Sequence, residues 1–509
     1  MKILDCTLRD GGYYTNWDFD YKLVEQYIRD IEVLPVDYIE LGYRNLPKQE
    51  YLGEFAYCPT STLQRIRSLT TKCLAIMLNE KDTEIVNLSE LLKPIIGVVD
   101  MVRLAVDPKN FDRAISLAQE VKALGFEVAF NTMYMSTWDN VDGFYEKLPK
   151  LNDIVDLFCM VDSFGSVTPN SIRDITLKVK QYTNCKLGFH GHDNMSLGLA
   201  NAIVALENGV DIVDSTILGM GRGAGNLKTE LLLTYLNKHH DLNVDFNALS
   251  RITGSFEPLL KLHNWGANLP YMLSGANSIP QKEIMAWIQN RVYSFNSIVR
   301  ALSNKKEGVI DNAKYPIFQQ SISDKKVLII GGGSSVKLHA NAIRSFIERN
   351  DLVLIFATSR YVKLFVDLPC DKYFVLVGNE GKRLVDNINV ETFRDICILP
   401  PYPREMGTDV PSKVSNSTYE LADVDVIGKY KDSCTTIALQ LANNISMNEV
   451  YLVGYDGYMG GSLTEKEITL NKENAEIFNI FLQNTERNLI SLLPSQYGDL
   501  KVESVYTKI

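Results

Sequence analysis

From the second residue onward, short β-branched runs alternate with stretches whose apolar residues recur every three or four positions. The runs Lys2–Leu8, Tyr38–Tyr43, Cys73–Leu78, Met101–Val106, Phe126–Tyr134, Leu157–Phe164, Lys186–His192 and Ile212–Gly219 predict eight strands. Between them, Phe111, Ala114, Ile115, Ala118 and Val121 share one helical face, as do Leu199, Ala202, Ile203 and Leu206. Leu124-Gly125 and Asn208-Gly209 stop these two helices. Eight strand–helix units within about 240 residues match a (β/α)8 barrel. A doubly wound open sheet is the competing arrangement.

Residues 241–302 read as a helical tail to the 1–240 barrel, including the apolar stretch Tyr271–Val299. Periodicity fails over 303–324, which predicts a linker. A new pattern starts at Lys325. Strand Lys326–Ile330 runs into Gly331-Gly332-Gly333, followed by helix Leu338–Arg349, strands Leu352–Ala357 and Tyr373–Val377, helix Thr435–Asn443 and strand Val450–Val453. Residues 325–509 are therefore expected to form a second, Rossmann-like α/β domain on an open parallel sheet.

Composition narrows the class. The 509 residues are 46% hydrophobic and 22% charged, close to soluble globular averages. A net charge of −10 disfavours nucleic acid as the main partner. No apolar run reaches the ~18–20 residues of a membrane span, and Met1-Lys2-Ile3-Leu4-Asp5 does not open a signal peptide. The eight cysteines form no C-x-x-C pair, which suits a reducing cytoplasm.

Chemistry in a barrel sits at the C-terminal strand ends. His190 and His192 stand two apart on strand 7, so both imidazoles point the same way, as two metal ligands would. Asp10 adds a carboxylate oxygen. Two histidines and one carboxylate leave open positions, and suit Mn²⁺ or Mg²⁺, with Zn²⁺, Fe²⁺ or Co²⁺ as alternatives. Arg103, Glu40, Asn131 and Asp162 also fall at strand ends and are candidate substrate-binding residues; Arg103 could hold a substrate carboxylate or an ion pair.

Asp5-x-Thr7-Leu8-Arg9-Asp10-Gly11, His190-x-His192 and the loop Gly221–Asn226 together resemble the DRE-TIM metallolyase superfamily over roughly residues 1–300. Within it, Met101–Val106, Met160–Gly165, Asn194–Asn201 and Tyr271–Gly275 are most similar to the 4-hydroxy-2-oxovalerate aldolases. The resemblance implies that Asp10, His190 and His192 are metal ligands, and Asn226 matches a position that is a ligand in the HMG-CoA lyases. It implies that Arg9 stabilises an enolate oxygen and that Asp5 orients the strand-1 cluster. A helical tail of this kind docks an acylating dehydrogenase in the aldolases. The biotin carboxyltransferases of the superfamily have a lysine where this chain has Val161, which argues against biotin chemistry.

One position departs from the aldolase pattern: Tyr13 stands where those enzymes have a catalytic histidine. A phenol of pKa ~10 is a poorer base than an imidazole, so Tyr13 is expected either to relay a proton or to line the pocket. The expected reaction is formation or cleavage of a 4-hydroxy-2-oxo acid from pyruvate and an aldehyde, in a homo-oligomer. A Claisen-type acyl-CoA condensing enzyme and a non-catalytic scaffold are the alternatives. The Gly331–Gly333 turn could cradle a nucleotide or nucleotide-sugar phosphate, but strand 352–357 is followed by Thr358 with no acid for a ribose, which argues against NAD.

Overall fold

Side chains alternate across a strand, and that alternation decides what the barrel encloses. In the computed structural model, β1 (Lys2–Asp5), β2 (Tyr38–Tyr43), β3 (Cys73–Asn79), β4 (Met101–Val106), β5 (Glu127–Thr132), β6 (Leu157–Asp162), β7 (Lys186–Gly191) and β8 (Ile212–Ser215) pair in parallel and in sequence order. β8 returns to β1 and closes the barrel. Leu4, Tyr38, Ala75, Met101, Ala129, Leu157 and Ile212 fill the N-terminal half of its interior. Their neighbours Ile3, Ile39, Val102, Val128, Phe158 and Val213 face outward and join helix residues such as Tyr27, Ile28, Ala114 and Ala118 in one continuous core. The structure describes residues 1–289, 295–309, 311–319, 322–388, 393–404, 406–408, 410–446, 449–459, 463 and 465–509.

Five barrel strands, β1, β5, β6, β7 and β8, end earlier than their hydrophobic runs suggest, β1 and β8 by the most. β1 stops at Asp5 because its carboxylate accepts from the Thr7 backbone N–H and hydroxyl, at 2.9 and 2.6 Å, and turns the chain into helix Thr7–Thr15. β8 stops at Ser215 because Leu218 and Gly219 adopt left-handed φ of 53° and 66°.

The chain divides into two units, Met1–Met285 and Ala286–Ile509. In the first, helices Phe246–His263 and Leu269–Ala276 follow the barrel, and helix Gln281–Gln289 crosses the division. Helix Phe295–Lys306 runs into the stretch expected to be a linker, so Ser303–Lys306 is helical. Residues 290–294 of the expected tail, and 310, 320 and 321 of the expected linker, lie outside the described residues.

The second unit carries an eight-stranded parallel sheet: β9 (Lys326–Ile330), β10 (Leu352–Phe356), β11 (Lys372–Val375), β12 (Ile396–Leu399), β13 (Thr418–Glu420), β14 (Val450–Val453), β15 (Leu489–Ser491) and β16 (Lys501–Val502). The order β13-β12-β11-β10-β9-β14-β15-β16 places the switch in winding direction between β9 and β14. β13, β15 and β16 escape a pattern reading because each has three residues or fewer. No described helix is long and apolar enough to cross a membrane.

Candidate active site

The C-terminal half of the barrel interior is polar. Arg103 of β4 is 0% exposed and reaches four inward-facing neighbours. It donates to Glu40 Oε2 at 2.9 Å, to Asn131 Oδ1 at 3.2 Å, to Asp214 Oδ2, and to Cys159 Sγ at 3.7 Å. Charges buried this deeply are tolerated only when paired. Glu40 Oε2 also accepts from Arg9 Nε at 2.9 Å, so one carboxylate joins Arg103 to the guanidinium above it.

Arg9 and Asp10 enter on the first turn of helix Thr7–Thr15, and the Arg9 terminal amino group also donates to Asp10 Oδ1. The other Asp10 oxygen accepts from Asn226 Nδ2 at 2.7 Å and lies 3.5 Å from His190 Nε2. Burial pushes the Asp10 carboxyl up, but Arg9, His190, His192 and Arg222 outweigh it and hold it at about 2. The two imidazole planes stand nearly perpendicular, 5.2 Å apart between centres. His192 Nδ1 donates to the Asp162 carbonyl at 2.6 Å, and His190 Nδ1 to Asp214 Oδ2 at 2.9 Å. These bonds leave the Nε2 lone pairs as the free ligating positions. Burial first, then His190, push the His192 imidazole down to about 3, so it stays neutral. Asn226 Oδ1 is buried with no hydrogen-bond partner. An orphaned amide oxygen beside a carboxylate and two imidazoles is the donor set of a divalent cation, and the residues fit one.

Among the described residues, the tightest group of metal-capable atoms is a different one: Cys6, His190 and Asp214, mutually within 4.8 Å. Asp214 Oδ2 already accepts from both Arg103 and His190. Burial pushes the Cys6 thiol well up, which keeps it protonated. Within that group Asp214 orients the His190 ring from behind, while the Cys6 thiol donates instead to Asp10 Oδ2 and the Ser215 carbonyl, at 3.8 and 3.5 Å.

Aromatic residues form the rim. The Tyr13 and Tyr43 hydroxyls lie 2.8 Å apart, and Trp17 packs edge-on to both rings, with centres at 4.9 and 5.7 Å. Burial first, then Tyr13, raise the Tyr43 phenol well above its usual value, so it remains a proton donor. A bulge at Glu40–Gly42 in β2 places Tyr43 there. A Cβ at Gly42 would lie 1.9 Å from the Phe55 carbonyl oxygen, so this residue faces outward and the next one inward.

The structure thus brings Arg9, Asp10, Tyr13, Glu40, Asn131, His190, His192 and Asn226 to one end of the barrel. Two candidates fall elsewhere. Asp5 faces the helices, where its oxygens accept from Thr7, Tyr27 and Thr229; each hydroxyl contact is 2.6 Å. The Asp162 carboxylate caps the following loop by accepting from Ser166 and Val167 N–H at 3.1 and 3.3 Å; only its carbonyl touches the site. Arg103 lies beneath the site in its ion pairs. Asp214, Tyr43 and Arg222 belong to the site and were not singled out from sequence. The acid at position 214, inside the apolar run Ile212-Val213-Asp214-Ser215, was the available signal for the first.

In the second unit, Asp456 lies against Gly333 of the glycine turn after β9. Asp456, after β14, accepts from the Ser335 N–H at 3.0 Å and from its hydroxyl, where a phosphate was expected. A cavity of about 680 Å³ lies beside it, lined by Gly332, Thr358, Arg360, Glu380 and Tyr497 among others.

Comparison with known proteins follows the barrel. The HMGL-like family model matches residues 100–254. An oxaloacetate decarboxylase of Mycobacterium tuberculosis is 23% identical over 60% of this chain and 92% of its own. A 4-hydroxy-2-oxovalerate aldolase of Bacillus cereus is 27% identical over 48% of this chain and 72% of its own. The crystal structure of the N-terminal domain of a protein provisionally described as an aldolase, from Bacteroides vulgatus, is 60% identical, with a TM-score of 0.57 over 59% of this chain and all of that one.

Proposed function

Because this chain belongs to the HMGL-like family, we propose that its barrel is a divalent-metal-dependent lyase acting on a 2-oxo acid, most specifically a 4-hydroxy-2-oxo acid aldolase working through the enolate of pyruvate. The observation that carries this reading is the meeting of Asp10, His190, His192 and the unpartnered Asn226 Oδ1 next to Arg9. These four residues would hold the cation, with Mn²⁺ or Mg²⁺ the best match to mixed oxygen and imidazole donors. When bound, the ion supplies positive charge at the keto oxygen of the substrate.

The chain's own groups do the rest. Arg9, fixed by Glu40 and Asp10, presents its remaining terminal nitrogen to the oxygen on which enolate charge develops. The Tyr13–Tyr43 hydroxyl pair relays the proton of the 4-hydroxyl to water as the carbon–carbon bond breaks. Trp17, edge-on to both rings, shields that pair from solvent. The named activities of the two curated relatives share one chemical need. Cleavage of 4-hydroxy-2-oxovalerate and decarboxylation of oxaloacetate both leave the enolate of pyruvate.

The test is exchange of pyruvate methyl protons with D₂O in the presence of Mn²⁺, followed by NMR, then pyruvate consumption with a panel of aldehydes. Exchange together with aldehyde-dependent loss is expected. Absence of exchange by metal-loaded protein overturns the enolate reading. CO₂ release from oxaloacetate without aldol turnover would make the enzyme a decarboxylase instead.

A further inference from the structure

The loop Gly221–Asn226 brings to the site a guanidinium that no carboxylate among the described residues meets at ion-pair distance. Arg9 meets Asp10 and Glu40, and Arg103 meets Glu40 and Asp214. Arg222 has no such partner. Among the described residues its guanidinium makes no hydrogen bond and no ion pair; its contact is the face of Tyr13, 4.4 Å from the ring centre. The side chain is half-buried. A guanidinium lying on an aromatic face keeps its edge, and so its N–H donors, directed outward.

The loop backbone that carries this side chain is pinned. The Gly223 N–H donates to the Tyr14 hydroxyl at 3.1 Å, and the Ala224 N–H to Gln281 Oε1 at 3.0 Å. Gly223 has φ +63°, and a Cβ there would fall 2.0 Å from Gln281 Oε1, so only glycine follows this path. On the other side, a Cβ at Gly221 would lie 2.6 Å from Asn226 Nδ2, the group that donates to Asp10. Tyr13 is one helical turn beyond Asp10 on the same helix. Arg222 therefore adjoins the proposed cation ligands on a pinned loop, with an unengaged planar fork.

We propose that Arg222 receives a second carboxylate of the substrate, so that the protein acts on 2-oxo dicarboxylates rather than on 2-oxo monocarboxylates. The inference rests on the reading of the 2-oxo end given above and adds the class of the other end. A fork of parallel N–H groups matches a planar carboxylate in bidentate fashion. One guanidinium balances one negative charge, whereas a phosphate dianion would call for a second cation. In the cleavage direction the C3–C4 bond of a 4-hydroxy-2-oxo dicarboxylate breaks. Its electron pair stays on C3 as the enolate of pyruvate, the hydroxyl proton passes through the Tyr13–Tyr43 pair to water, and C4 becomes the aldehyde of a carboxylate-bearing product.

Titration calorimetry on the Mn²⁺-loaded full chain tests this without turnover. The probes are 2-oxoglutarate and 2-oxopentanoate, equal in carbon count and differing only in carboxylate against methyl at the far end. Wild type should bind the dicarboxylate about 10–100-fold more tightly, the range of a charge-assisted contact. In Arg222→Gln the ratio should collapse toward unity. In Arg222→Lys, which keeps the charge and loses the fork, it should fall part of the way. Equal ratios in wild type and Arg222→Gln overturn the assignment, and a wild-type ratio in Arg222→Lys overturns bidentate recognition. Cleavage of 4-hydroxy-2-oxoglutarate against 4-hydroxy-2-oxopentanoate is assayed in parallel. A wild type that cleaves neither refutes the aldolase reading while the binding ratio still decides the role of Arg222; a wild type that binds neither acid overturns both.

Discussion

Arg103→Met separates two roles that one arginine can have in such a site. Methionine keeps most of the buried stem and removes the guanidinium, whose four partners are Glu40, Asp214, Asn131 and Cys159. Glu40 retains Arg9, and Asp214 retains His190, but each loses its strongest neighbour in a region with no solvent to replace it. Breaking a buried pair by deleting one partner costs about 3–5 kcal/mol. At roughly 2–4 °C per kcal/mol for a unit of this size, the barrel should melt about 6–20 °C lower. Only the barrel transition should move in calorimetry, because all four partners lie within Met1–Met285. With Asp214 no longer held, His190 loses its fixed orientation, and divalent-ion affinity should fall about 10–100-fold. Adding Glu40→Gln and Asp214→Asn should restore part of the melting temperature, since the stranded charges go with them. A shift below about 2 °C, accompanied by a raised KM for the 2-oxo acid alone, would refute the structural role. That result would make Arg103 a substrate ligand.

Three further outcomes follow from the same geometry. His190→Ala and His192→Ala should each lower bound metal, measured by elemental analysis, while circular dichroism stays at wild type; full occupancy in the double variant would remove both from the ligand set. Arg9→Lys keeps the charge and loses the fork that spans Glu40 and Asp10, so kcat should drop by roughly 10²–10³ at unchanged metal content; a wild-type kcat would take Arg9 out of the chemistry. Tyr13→Phe and Tyr43→Phe should slow turnover to similar extents with little change in KM, and the double variant should be no slower than either, because one hydroxyl pair is lost in each case. A silent Tyr43→Phe would reduce Tyr13 to a wall of the pocket.

Much of this architecture is written in local pattern. Eight apolar runs at regular spacing define the strands of the barrel, because a parallel strand covered on both faces must be apolar nearly throughout. The alternation that puts His190 and His192 on one face is equally local, and so is the helical spacing that sets Tyr13 one turn from Asp10. Tertiary structure decided the rest. Asp5 and Asp162 sit at strand ends like their neighbours, yet strand phase turns the first toward the helices and closure of a loop claims the second. In β2 the bulge shifts the phase by one residue, so that Glu40 and Tyr43, three apart, both face inward, a pairing that strict alternation forbids. The partners of Arg103 come from four other strands, β2, β5, β6 and β8, and only the closed barrel makes them neighbours. The unpaired guanidinium of Arg222 is of the same kind, since the lack of an ion-pair partner among the described residues is a property of the folded surroundings and cannot be read from the residues on either side.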